Sequence, residues 1–216
     1  SEKRDMPGHD GGMEVTVRPA ELEDRADDLL YLSAWRYYDA YAGSEQAARR
    51  ILRRVHPKPG HSASVSLCRV AVADGRAVGV IVGFPAGEAE ELARGFLNLT
   101  ALRVAPWRWP RLFRHLNAAS GMSPTPAVGS WYVDALAVAE DTRRRGVARA
   151  LLADAEAIAR EQGATGVSLD TGLENTPARQ LYEASGFEQR DVRRARDERA
   201  ARAIGGAGFV GFFKPL

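Results

Sequence analysis

Residues 132–152 constrain the fold of this chain more than any other stretch. The largely apolar run Val133-Asp134-Ala135-Leu136-Ala137-Val138 reads as a strand, and after a short polar turn Arg143-Arg144-Arg145-Gly146-Val147-Ala148 opens a helix. A helix starting near Arg144 or Arg145 leaves about four backbone N–H groups without internal partners, and its aligned peptide dipoles put roughly half a positive charge there. Gly146 and Ala148 carry almost no side chain, so a phosphate can approach the backbone closely, while the three arginines add bidentate donors. An Arg-rich first turn can equally be a solvated surface, so the flanking segments decide. The stretch lacks the three spaced glycines of the dinucleotide fingerprint and the Gly-Lys-Ser/Thr ending of nucleoside-triphosphate loops, which argues against both.

Downstream, Val147, Leu151, Ala155 and Ile158 recur at helical spacing, with Asp154 inside the same arc, and Gly163 supplies the stop. Gly166-Val167-Ser168-Leu169-Asp170 alternates as a short strand, so the unit reads as a parallel strand-helix-strand crossover. After a polar loop at residues 171–175, Pro177 suits the first position of another helix and makes Thr176 its cap. Ala178, Leu181, Tyr182 and Ser185 form one face of that helix before Gly186 ends it. Asn175 and Tyr182 are thereby tied to one short element.

These residues resemble the GNAT superfamily of N-acetyltransferases. The superfamily pattern Arg/Gln-x-x-Gly-x-Gly/Ala is similar to Arg143, Gly146 and Ala148, and its late motif, Asn followed seven residues later by Tyr and then Gly-Phe, is similar to Asn175, Tyr182, Gly186 and Phe187. The two motifs together span residues 131–188. The resemblance implies an α/β (α+β) GNAT fold: a mixed central sheet of about six to seven strands, splayed between the fourth and fifth, with helices on both faces.

The rest of the chain agrees with one domain over residues 13–216, preceded by a polar leader or extension at 1–12. Its 216 residues, 45% hydrophobic and 27% charged, can bury a substantial core. No run of about twenty apolar residues or secretion signal is visible, so a cytoplasmic location and no membrane contact are expected. The one cysteine, Cys68, lies in an apolar run and reads as a core residue. Residues 14–18 alternate as a first strand, and 21–55 read as two helices broken near Ala42-Gly43-Ser44. Trp35, Tyr37, Tyr38 and Tyr41 lie on these helices, where they either line an acceptor pocket, as the resemblance implies, or pack the core. Asp74-Gly75 between the apolar runs 65–73 and 77–84 marks a hairpin.

The resemblance implies a short passage from that hairpin to the strand at Trp131, and here residues 85–129 are inserted instead. Residues 88–104 and 107–119 read as helices and 120–129 as loop. Trp107, Arg108, Trp109, Arg111, Phe113 and Arg114 mix aromatic and basic character as a nucleic-acid surface would, but a net charge of only +2 argues instead for a lid or a homodimer contact. Residues 187–192 and 209–213 read as the last strands, and 193–203 as a charged surface stretch or loop.

By resemblance, acetyl-coenzyme A is the cosubstrate, with its pantetheine arm along Leu136-Ala137-Val138 and its pyrophosphate on residues 144–149, including Arg149, with Val147 in the first turn. The N–H of Val138 or a neighbour would stabilise a tetrahedral oxyanion, a contribution of about 3 kcal/mol. A small-molecule or peptide amine would attack directly, without metal or covalent enzyme intermediate. Tyr182 would protonate the leaving thiolate, Asn175 would bond the cofactor arm or the neighbourhood of Tyr182, and Asp170 would act as base, with Asp134 and Glu174 as rivals. A silent acyl-coenzyme A binding or sensing domain would use the same cradle without transfer. The identity of the amine does not follow from the fold.

Overall fold

The computed structural model describes residues 13–104, 106–110, 113, 116 and 121–216. Strand β1 (Thr16–Pro19) leads into α1 (Ala26–Ser33), α2 (Trp35–Ala42) and α3 (Glu45–Val55), and the hairpin β2 (Cys68–Ala73) and β3 (Arg76–Pro85) follows. After α4 (Ala89–Thr100) come β4 (Trp131–Val138), α5 (Val147–Glu161), β5 (Gly166–Gly172), α6 (Thr176–Ala184), β6 (Glu188–Arg194), α7 (Glu198–Ile204) and β7 (Gly208–Pro215). The expected leader at 1–12 and much of the expected helix at 107–119 lie outside the described residues.

Residues 21–55 form three helices rather than two. Gly43, at φ 94°, ends α2 where the sequence places a break, and Ser44 caps α3 by accepting the Ala47 N–H. The additional break is at Ala34, whose φ of −147° and ψ of 43° leave the helical region, while Ser33 returns its hydroxyl to the Leu30 carbonyl at 2.7 Å. The β2–β3 hairpin turns through Asp74 at φ 51° and Gly75 at φ 72°, the paired left-handed conformation that matches strand twist.

The seven strands form one sheet in the order β1-β2-β3-β4-β5-β7-β6. Neighbours are antiparallel except β4 and β5, which are parallel. Helices cover both faces. On one, α1, α2, α3 and α4 bury Leu30, Leu52 and Phe96 against Val70, Val80, Val82, Phe84, Ala135 and Ala137. On the other, α5 and α6 bury Val147, Leu151, Leu152 and Tyr182 against Ile81, Val133, Val167, Leu169 and Phe212. Asp154, placed by spacing within the apolar arc of α5, instead takes a two-pronged hydrogen bond from Arg69 of β2, one arm at 2.8 Å.

Two features of β4 position the site. Its pairing with β5 covers only Trp131↔Val167, Tyr132↔Ser168 and Val133↔Leu169. Beyond these the strands part, yet each keeps its outer neighbour, since β3 pairs with β4 as far as Val138 and β7 pairs with β5 as far as Gly172. The sheet therefore opens along one line without unravelling. The second feature is a bulge. Val82 faces Ala135 and Gly83 faces Val133, so Asp134 is the extra residue on β4. The extra residue reverses the phase of the strand: Tyr132 packs with the α1–α4 layer as Ala135 and Ala137 do, and Val133 with the α5 side as Leu136 does.

The inserted segment is built into the fold. Helix α4 buries Leu92, Phe96 and Thr100, with the hydroxyls of Tyr41 and Thr100 in contact at 2.5 Å. It is shorter than the expected 88–104, with single 3₁₀ turns at Ala86–Glu88 and Ala101–Arg103 on either side. The tail of the insert lies on the sheet, where the Ala127 N–H donates to Ser168 Oγ at 3.0 Å and Ser130 Oγ donates to the Ala127 carbonyl at 2.7 Å. Gly211 makes that approach possible, because a Cβ there would come within 2.7 Å of Pro124.

Toward the C-terminus the stretch 193–203 is not a loop. β6 continues to Arg194, and α7 starts behind Asp197, whose carboxylate accepts the Ala200 N–H at 2.8 Å. Cys68 is buried and donates its thiol to the Ser64 carbonyl, in keeping with a core role. Among the described residues no helix is long and apolar enough to cross a membrane.

Candidate active site

The cradle expected at Arg143, Arg144, Arg145, Gly146, Val147 and Ala148 is present, but α5 starts at Val147, two or three residues later than the spacing suggests. The cause is backbone conformation. Arg143 is extended, Arg144 stands at φ 62° and Gly146, the N-cap, at φ 86°, so the chain changes hand repeatedly before the helix begins. The first intrahelical bond runs from the Ala150 N–H to the Gly146 carbonyl at 3.0 Å. The N–H groups of Val147, Ala148 and Arg149 thus have no intrahelical acceptor, and the glycine cap supplies no side chain for them. Arg143, Arg144, Arg145 and Arg149 are exposed around this end, and nothing lies within 4 Å of a Cβ built on Gly146. Open donors, a positive helix end and four guanidinium groups fit a diphosphate.

The opening between β4 and β5 leads to the cradle. The Ala139 N–H donates to the Val78 carbonyl at 2.8 Å, and alternation along the β3–β4 ladder turns the N–H groups of Val138 and Leu136 away from β3, toward the opening. Ala137, between them, belongs to the β3 side. Arg143 Nε donates to the Val138 carbonyl at 3.3 Å, which fastens the first arginine of the cradle to the end of the strand. A strand-like ligand edge would therefore meet free donors along β4.

At the closed end of the opening stand two carboxylic acids and two tyrosines. Asp170 of β5 accepts a 2.5 Å hydrogen bond from the hydroxyl of Tyr132 of β4. Desolvation pushes its carboxyl up to about 6, partly offset by that hydrogen bond. Desolvation and then the charge of Asp170 push Asp134 up to about 7. Asp134 itself is exposed at the bulge, so that rise holds only where a bound ligand excludes water. Of the aromatics on α2, Tyr38 packs against the core, its ring 6.1 Å from that of Tyr37 and 6.4 Å from that of Phe96. Trp35 is largely exposed and Tyr41 is buried in the core.

Tyr182 is 5% exposed, its ring packed on Phe187 and Phe212 with centroids 6.0 Å and 5.6 Å away. Burial, and then the charge of Asp170, raise its hydroxyl above the ordinary phenol range, so it stays protonated. Among the described residues no hydrogen bond occupies that hydroxyl. The other two candidates have structural partners. Asn175, rather than Thr176, caps α6, accepting the Ala178 N–H at 3.4 Å and donating to Thr171 Oγ1 at 3.0 Å, with Pro177 in the second helical position. Glu174 is held at the rim by Arg36 of α2, 3.4 Å away.

Sequence reasoning missed Tyr132 as the partner of Asp170 and missed the bulge at Asp134. The one visible trace of either was a single acid inside an apolar strand. Register across β4 and β5, which no local pattern encodes, supplies the rest.

A model of the acetyltransferase (GNAT) family matches residues 28–187. No curated protein matches the chain. Among solved structures, an N-acetyltransferase from Staphylococcus aureus Mu50 is similar at 14% identity and a TM-score of 0.65, covering 92% of this chain and 99% of that one. An agmatine N-acetyltransferase is similar at 18% identity and a TM-score of 0.55, covering 94% and 99%. A chain of the NatC complex bound to Gag peptide and CoA is similar at 18% identity and a TM-score of 0.50, again covering 94% and 99%. At these identities the structures speak for the fold, and the family match over 28–187 contains the opened sheet, the cradle and Tyr182. The chain belongs to the GNAT family of acetyltransferases.

Proposed function

We propose that this protein transfers the acetyl group of acetyl-coenzyme A to an amine by direct attack within a ternary complex. The observation that carries this reading is Tyr182: a protonated hydroxyl on a buried ring, without a hydrogen-bond partner among the described residues, beside the Asp170 charge at the closed end of the β4–β5 opening. When bound, acetyl-coenzyme A supplies an acyl group already activated as a thioester. The N–H groups of Val147, Ala148 and Arg149, with the side chains of Arg143, Arg144, Arg145 and Arg149, hold its diphosphate. Leu136 and Val138 offer N–H groups to the pantetheine arm and the carbonyl oxygen, and one such preorganised donor contributes about 3 kcal/mol to the rate.

An alkylamine of pKa about 10.4 costs about 4.6 kcal/mol to deprotonate at pH 7, so a base helps. Asp170, oriented by Tyr132, takes that proton directly or through water, and its raised pKa makes it a stronger base than an ordinary carboxylate. Asp134 lies near enough to share the charge. Tyr182 delivers a proton to the departing sulfur.

The test is release of coenzyme A from acetyl-coenzyme A over a panel of alkylamines, amino acids, peptides and aminoglycosides, each against a control without amine. Turnover with at least one class is expected. A base must be deprotonated to act, so kcat/KM is expected to fall as pH drops through about 6, the value of Asp170, and to stay low below it. Tight acetyl-coenzyme A binding with no turnover across the panel would make the chain a binding or sensing domain instead.

A further inference from the structure

On the α1–α4 face of the sheet, next to Tyr132 and Asp170, lies a cavity of about 260 Å³. Residues 124–127 of the insert line one side, and Tyr132 of β4 with residues of β5, β7 and β6 supplies the rest. Pro124 sits against Gly211, and Ser168 holds Ala127, so this side is fixed to the sheet. Asp170 stands at one end of the cavity.

The other end is shaped by a bulge in β6. Gln189 faces Phe212 and Asp191 faces Gly211, so Arg190 is the extra residue, and both Arg190 and Asp191 line the cavity. Asp191 is neutralised by Arg193 at 2.7 Å. Arg190 has no such partner. Among the described residues it makes no hydrogen bond or ion pair, and its guanidinium is held over the Phe213 ring, 5.3 Å from the centroid. Asp170, Gly211 and Asp191 lie opposite one another on successive strands, so the two ends are two strand spacings, about 10 Å, apart.

We infer that the acceptor is a short amine carrying a carboxylate, its amine at Asp170 and its carboxylate on Arg190. The inference rests on the acetyltransferase reading above and names the substrate class of that site. A planar guanidinium with two free edges pairs a carboxylate bidentately, and the aromatic ring beneath holds it in place. Transfer forms the N–C bond and breaks the thioester C–S bond, the amine proton passing to Asp170 and a proton from Tyr182 going to the sulfur.

The test compares kcat/KM with acetyl-coenzyme A for 4-aminobutanoate and 5-aminopentanoate against the corresponding amides, which keep the shape and lose the charge. The acids are expected to be favoured by about 10- to 100-fold, the range of one charge-assisted pair, chiefly through KM. Arg190→Ala should abolish that preference and Arg190→Lys should restore part of it. Equal rates for acids and amides, or a preference untouched by Arg190→Ala, would overturn the inference while leaving acetyl transfer standing. Should no amine be turned over, transfer itself fails, and calorimetric titration of 4-aminobutanoate into the protein loaded with coenzyme A decides the remainder: binding lost in Arg190→Ala supports the carboxylate site, and no binding overturns it.

Discussion

Replacing Tyr182 by Phe is expected to lower kcat by about 10²- to 10⁴-fold, the usual loss on removing a general acid, and to leave the Kd for acetyl-coenzyme A nearly unchanged. The separation follows from how the side chain is held. Its ring is fixed by Phe187 and Phe212, contacts that phenylalanine keeps. Its hydroxyl bonds no described residue, so removing it leaves no buried donor or acceptor stranded and Tm should hold. The loss must then fall on proton transfer. Steady-state kinetics, acetyl-coenzyme A calorimetry and thermal melts on one preparation check the three statements together. An unchanged kcat would remove Tyr182 from the mechanism.

Gly146→Glu is expected to raise the Kd for acetyl-coenzyme A by about a thousandfold. Two like charges 4 Å apart at an effective dielectric of 20 repel by about 4 kcal/mol, which is about three decades of affinity. The position at φ 86° adds strain, since a side chain there costs roughly 1–2 kcal/mol, and that part falls on folding as well as on binding. Gly146→Ala separates the two. A Cβ at this position meets nothing within 4 Å, so the alanine carries the backbone strain without the charge. Calorimetry should find the alanine variant much closer to wild type than the glutamate variant. Comparable affinity in all three would place the diphosphate elsewhere.

Both substitutions act on residues that local pattern made visible. Asp74-Gly75, the apolar face of α5, the glycine before α5 and the Asn-to-Tyr spacing of α6 depend on a few neighbouring residues, and such features can be read from a chain. Other features depended on competition between similar choices. Thr176 and Asn175 have comparable capping tendencies, and only the backbone path shows that Asn175 reaches the Ala178 N–H. The helix break at Ala34 carries no glycine or proline, and three residues of alternating hand, not the apolar spacing, set the start of α5.

The least legible features were those set by pairing across distance. Asp134 leaves the strand alternation because β3 and β4 slip by one residue, and Tyr132 meets Asp170 because β4 and β5 share only three residue pairs. Arg190 enters its cavity by the same device on β6. In each case a bulge or a short ladder aims a polar side chain into a space that the regular sheet would have closed.

In the proposed mechanism acetyl-coenzyme A occupies the β4–β5 opening with its diphosphate on the start of α5. A crystal structure of the complex tests it directly. Diphosphate oxygens are expected within about 3.2 Å of the N–H groups of Val147, Ala148 and Arg149, and the thioester between the Val138 N–H and the Tyr182 hydroxyl. A cosubstrate bound outside that opening, or a thioester remote from Tyr182, would contradict it.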